Sequence, residues 1–248
     1  MKTGLACCVV SALAIGLTLA GHAGAMTEAE ARETLDNALR YAAEQRYEEA
    51  VETFESVREA NPGAIESIDG LRIAVVYAKL GDVDVHEDHI RWLIGQFPQP
   101  ELATDADRAV KGYIVFSEAD DPELLAYARE LAVYATDAAG AVGEEEYMGF
   151  FNITRGIAEY RLGNYEEASE WVAKSAQDPS KYIRGLALVY YAMAEHQRGN
   201  VEEAADIFTR AEHVVAELPE PGTEEYLEEW TDTLFIQLAY DEAQELME

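Results

Sequence analysis

Arg161-Leu162-Gly163-Asn164-Tyr165-Glu166-Glu167-Ala168 and Gln197-Arg198-Gly199-Asn200-Val201-Glu202-Glu203-Ala204 are one run written twice, 36 residues apart. A period of that length is the mark of stacked helical hairpins, each unable to bury its apolar face alone. In each copy a helix ends at glycine, where a left-handed C-cap carries no side-chain penalty. Asn and two glutamates follow, placing negative charge at the N-terminus of the next helix, where its dipole favours it. The copies define a fourth hairpin over Tyr147 to Gln177 and a fifth over Ser180 to Ala216. Such an array offers a binding or assembly surface rather than a reaction vessel.

The same grammar extends outward from this block. Thr27-Glu28-Ala29-Glu30 is a capping box that opens a helix running to about Gln45, and Tyr47-Glu48-Glu49-Ala50 opens its return helix, which stops before Asn61-Pro62. A second hairpin spans Glu66 to Pro98, broken at Gly81-Asp82, and Pro62 and Pro98 are again 36 residues apart. A third runs from Asp105 to Phe116 and then from Asp121-Pro122, an N-cap with proline at the first helical position, to about Ala138. The Ala-Gly-rich stretch Ala138 to Gly143 and the triplet Glu144 to Glu146 predict a longer joint, the place for a hinge or register change. Beyond Leu218-Pro219-Glu220-Pro221-Gly222, the spacing of Tyr226, Trp230, Leu234, Leu238 and Leu246 predicts a capping helix over 223–248 that covers the exposed face of the fifth hairpin.

Residues 1–25 fit a secretory signal. Lys2 precedes an uncharged apolar stretch, Leu5 to Ala20, and Ala23-Gly24-Ala25 supplies a small-residue cleavage site, predicting export to the periplasm or exterior with Met26 as the new N-terminus. The apolar stretch is shorter than the roughly 20 residues a membrane-spanning helix needs, so no membrane insertion is expected after cleavage. Both cysteines, Cys7 and Cys8, lie within this segment, so stability has to come from packing without disulfides. The whole chain carries 18 Lys and Arg against 49 Asp and Glu, a formal charge of −31. That charge argues against nucleic acid or anionic lipid as a partner and for a strongly solvated surface.

These runs resemble tetratricopeptide repeats, and the C-terminal block resembles the repeat tails of large bacterial signalling and surface proteins. The resemblance implies an all-α, right-handed superhelix of about five hairpins over 26–222 with a C-terminal capping helix. Ala50, Ala168 and Ala204 match the family's small position in the return helix. Phe54 and Phe208 match its following aromatic, Val57, Ser175 and Ala211 the residue after that, and Gly156 and Ala192 the small position of the first helix. Tyr47 and Tyr165 match the aromatic that opens the return helix. His86 and Leu124 depart from the pattern, standing where the second and third hairpins should carry a small residue. The family's concave surface maps onto Phe150, Ile153, Ile157, Tyr160 and Arg161 in the fourth hairpin and onto Leu186, Val189, Met193, His196 and Gln197 in the fifth.

Catalytic constellations are missing from the sequence. The chain past residue 25 has no cysteine nucleophile, no Gly-x-Ser-x-Gly elbow and no phosphate-cradling Gly-x4-Gly-Lys-Ser/Thr loop. His86-Glu87-Asp88-His89 is the one metal-like cluster and supplies too few ligands alone, so no metal and no cofactor are expected. The expectation is a non-enzymatic, monomeric scaffold that binds a protein or peptide. The alternative is an acidic envelope protein that collects cations or basic polymer. From Asn152 to Glu212 only 10 Asp and Glu face 7 Lys and Arg, which places the partner surface on the fourth and fifth hairpins, with Tyr160, Arg161, His196 and Gln197 facing the groove.

Overall fold

The computed structural model describes residues 26–248 except Gln99, Ser117 and Ala119, so the expected secretory signal and expected cleavage after Ala25 lie outside the described residues. Among the described residues the protein is all-α, with eleven helices packed as antiparallel neighbours and no sheet. They are α1 (Glu28–Ala43), α2 (Tyr47–Ala60), α3 (Ser67–Leu80), α4 (Val83–Gln96), α5 (Ala103–Ile114), α6 (Pro122–Val142), α7 (Met148–Arg161), α8 (Tyr165–Ala173), α9 (Lys181–Gln197), α10 (Val201–Val215) and α11 (Glu224–Met247). None of them is long and apolar enough to cross a membrane.

Local sequence sets the helix ends. Thr27 Oγ1 accepts from the Glu30 amide and the Glu30 carboxylate accepts from the Thr27 amide at 2.9 Å, completing the capping box of α1. Asp121 Oδ1 accepts from the amides of Glu123 and Leu124 ahead of Pro122, which opens α6. Gly163 and Gly199 adopt φ of 78° and 85°, the left-handed region that ends α7 and α9. In both copies a buried glutamate five residues before the Asn takes its side-chain amide, Asn164 onto Glu159 at 2.8 Å and Asn200 onto Glu195 at 2.5 Å. The repeated Asn therefore ties the inter-helix turn to a carboxylate inside the helix just ended.

Each odd-numbered helix packs on the helix that follows it, and α1, α3, α5, α7 and α9 also pack on one another in succession. At the α7–α8 crossing the backbones approach so closely that a Cβ on Gly156 would fall 2.4 Å from Val172 Cγ1. Ala168 and Ala204 are buried, as are Phe54, Val57, Ser175 and Ala211. Burying an aliphatic or aromatic side chain of this size contributes about 1.5–3 kcal/mol.

In the second hairpin the position that the resemblance assigns to a small residue carries an imidazole. His86 and His89 are fully buried, and their Nε2 atoms lie 3.1 Å from the Gly112 carbonyl and 2.9 Å from the Gly70 carbonyl. Gly112 lies on α5 and Gly70 on α3, so each imidazole ties α4 to the backbone of a neighbouring helix, while the room the glycines leave is taken by Ala74 of α3 and Leu93 of α4. Leu124, the departure in the third hairpin, is buried as well.

Two expectations about this architecture need correction. The Ala-Gly-rich stretch is no hinge, because α6 continues through it to Val142 with Ala135 and Ala139 buried one turn apart. Glu144 then fixes the joint, its carboxylate accepting from the Thr104 amide at 3.1 Å and the Thr104 hydroxyl at 2.7 Å. The helix over 224–247 does more than cover the last hairpin. It packs on α9 and also on α1 and α3, so that α1, α3, α5, α7, α9 and α11 form a closed cycle of contacts. A break in helical geometry at Glu229 (φ −114°, ψ 19°) lets its two halves follow different neighbours.

Candidate functional site

α11 packs on α9, which carries part of the residues that the sequence nominates for partner binding, and through Glu242 it reaches Arg161 of α7. The guanidinium meets Glu242 end-on, with Nη1 2.5 Å from Oε1 and Nη2 2.6 Å from Oε2, while Nε donates to the Ile114 carbonyl at 2.7 Å. Nη2 also reaches the Val115 carbonyl and the Tyr190 hydroxyl. Burial disfavours the charge, yet Tyr190 and Glu242 hold the guanidinium pKa above its ordinary value. A bidentate pair of this kind, with its remaining donors satisfied, survives burial because few polar groups are left uncompensated.

The other nominated residues follow the same division. Ile153, Ile157, Val189 and Met193 are wholly buried, Leu186 nearly so, and Tyr160 packs edge-on to Tyr190 with its hydroxyl pKa pushed up to about 12 by burial and the Glu242 charge. Phe150 and His196 are half-buried, with Lys111 Nζ 4.7 Å from the Phe150 ring centre, and Gln197 alone is exposed. Arg161 is therefore no free groove cation, because its guanidinium is buried against Glu242. The structure brings Tyr160, Arg161 and Tyr190 together, with Gln197 exposed to solvent and its side chain beside the Tyr160 hydroxyl.

His86-Glu87-Asp88-His89 is not assembled into one cluster. The two imidazoles point into different inter-helix contacts, Glu87 pairs with Arg91 and Asp88 with Arg58. No group of three or more His, Cys, Asp or Glu side chains is placed to hold a metal ion among the described residues.

Space remains open on both sides of the first half of α11. A cleft of about 720 Å³ separates it from α1 and α3, with Leu39, Gln45, Arg72, Leu227 and Trp230 on its walls. Gln45 Nε2 bridges the cleft floor to the Tyr226 hydroxyl at 3.2 Å. A smaller cavity of about 190 Å³ lies between α3, α5, α7 and α11. Its floor holds a buried ion pair, Lys111 Nζ to Asp107 Oδ2 at 2.7 Å, which Thr154 Oγ1 extends by donating to Asp107 Oδ1 at 2.5 Å. Sequence reasoning passed over these residues because one Lys-Asp pair at i, i+4 looks like a solvated helix face. Comparison of the chain with protein-family models, with curated proteins and with solved structures finds no match.

Proposed function

We propose that the chain is a tetratricopeptide-like, right-handed superhelical scaffold without enzymatic activity, exported from the cell, that recruits a protein partner through a helix-in-groove mode. The observation that carries this reading is α11 itself: a 24-residue helix seated along α9, α1 and α3, gripped by Arg161 through Glu242. A groove that accepts this helix has the width and the apolar lining to take another amphipathic helix with a carboxylate at the matching position. The 36-residue spacing, the paired hairpins and the small residues at their crossings support the superhelix.

On this reading the partner enters at the cleft of about 720 Å³ beside the first half of α11, where Leu227 is exposed and Trp230 forms the wall. The test is affinity capture from an envelope extract with the full chain, followed by the same capture with Leu227→Glu. One stoichiometric protein, lost with the variant and retained in moderate salt, is the expected result. Capture of only basic polymer or divalent cations, abolished by salt, would replace the scaffold with the alternative reading of the −31 charge.

A further inference from the structure

The cavity of about 190 Å³ between α3, α5, α7 and α11 holds two opposite charges that do not meet. Most of its polar groups are already satisfied: Asp107 by Lys111 and Thr154, and Thr104 by Glu144. Two are not. Arg108 has no carboxylate within ion-pair distance among the described residues, and its one side-chain hydrogen bond is a long 3.4 Å contact to Ser67 Oγ. Across the space, Asp232 on α11 feels the charges of Lys111 and Arg72 but no hydrogen bond, and burial pushes its carboxyl pKa up. Both side chains are half-buried, so in a chain with 49 acidic residues an arginine without an acid and an aspartate without a donor line one cavity.

The rest of the wall is apolar and aromatic, formed by Tyr147, Phe150, Phe151, Ile68 and Leu71. Sites for drug-sized ligands occupy roughly 300–1,000 Å³, so this space suits a molecule nearer the size of a single residue. We propose that the cavity binds a free α-amino acid with an apolar side chain, its carboxylate on Arg108, its ammonium on Asp232 and its side chain against Tyr147, Phe150 and Phe151. Such a zwitterion satisfies both unpaired groups at once and adds no net charge to the interior. The inference stands apart from the scaffold reading, since it needs no protein partner.

The test is isothermal titration calorimetry of the full chain with L-phenylalanine, 3-phenylpropanoate, which lacks the ammonium, and phenethylamine, which lacks the carboxylate. L-phenylalanine should bind one to one, and each truncated compound about tenfold more weakly or worse, the loss expected for a hydrogen bond to a charged group. Arg108→Gln should weaken L-phenylalanine by a similar factor while leaving phenethylamine unchanged, and Asp232→Asn should do so while leaving 3-phenylpropanoate unchanged. Far-UV circular dichroism identifies a variant that fails to fold, in which case the three-compound series on the unaltered protein decides. Equal binding of all three compounds overturns the proposal. So does absence of saturable binding by phenylalanine, leucine and tyrosine, or tighter binding of a dipeptide than of the free amino acid.

Discussion

Where α7 meets α8 the crossing is built from Gly156, Ala168 and Val172, whereas α4 meets α5 through His86, stacked on Tyr113 and edge-on to Phe116, with its Nε2 on the Gly112 carbonyl. One junction closes by having almost no side chain. The other closes around a polar ring that has to stay neutral. Both bring helices close, but only the second carries a proton-binding group into the core. Burial pushes His86 down to about 4 and His89 to about 3, below the ordinary imidazole value of about 6.5. The lesson is that a buried ring can tie neighbouring helices through a backbone carbonyl, at the cost of a pH-dependent core.

The largest expected effect separates these junctions by acid. In the unfolded chain the imidazoles take a proton below about pH 6.5, while in the folded chain His86 stays neutral to about 4 and His89 to about 3. The unfolded state therefore binds more protons across that window. Stability is fully present above pH 6.5 and falls with pH by about 1.4 kcal/mol per unit for each histidine. His89→Phe, placed among Phe54, Tyr77 and Trp92, should make the slope of unfolding free energy against pH shallower by about that amount. Denaturant titrations from pH 7 to pH 4 measure it, and an unchanged slope would mean that the imidazoles do not carry the pH dependence.

Next in size is Arg161→Glu, which breaks a buried ion pair and should cost about 3–5 kcal/mol. The loss should come with release of α11, read as faster amide exchange from Leu234 to Ala243, while α3 to α5 stay protected. Uniform loosening of all helices would show that α11 is not held mainly at Arg161. Overpacking the other junction comes third: Gly156→Ala and Ala168→Leu should each cost about 1–3 kcal/mol with no change in pH slope. A neutral result for both would remove the assignment of these positions as close crossings. The smallest effect tests what the two regions share. Gly81 and Gly163 both end a first helix at positive φ, 75° and 78°, and a Cβ at either would touch nothing within 4 Å. Alanine at each should cost about 1–2 kcal/mol of backbone strain and no more. A thermal melt in which one substitution costs far more than the other would show that the turns differ.

Local features were legible in the sequence and long-range ones were not. The capping box at Thr27, the N-cap at Asp121 and the glycine stops appear where the sequence puts them, because each depends on residues within one turn. The departure at His86 was legible as a departure, but its hydrogen-bond partner was not, since the Gly112 carbonyl lies 26 residues on. The stretch Ala138 to Val142 was misread because alanine and glycine together suggest a loop, while the buried face of Ala135 and Ala139 keeps it helical. The destination of α11 was hidden for a different reason. Tyr226, Trp230 and Leu234 suggest one apolar face, yet Phe235, Ile236 and Ala239 are buried too, and nothing local marks Glu242, among 49 acidic residues, as the partner of Arg161.

The contact between Gln45 and Tyr226 joins positions 181 residues apart. An open row of hairpins behaves as a one-dimensional system, in which each unit answers only to its neighbours and the ends come undone first. A row whose two ends share a helix has lost that freedom. Its first hairpin cannot loosen without disturbing α11. Such a chain should melt in one transition rather than peel.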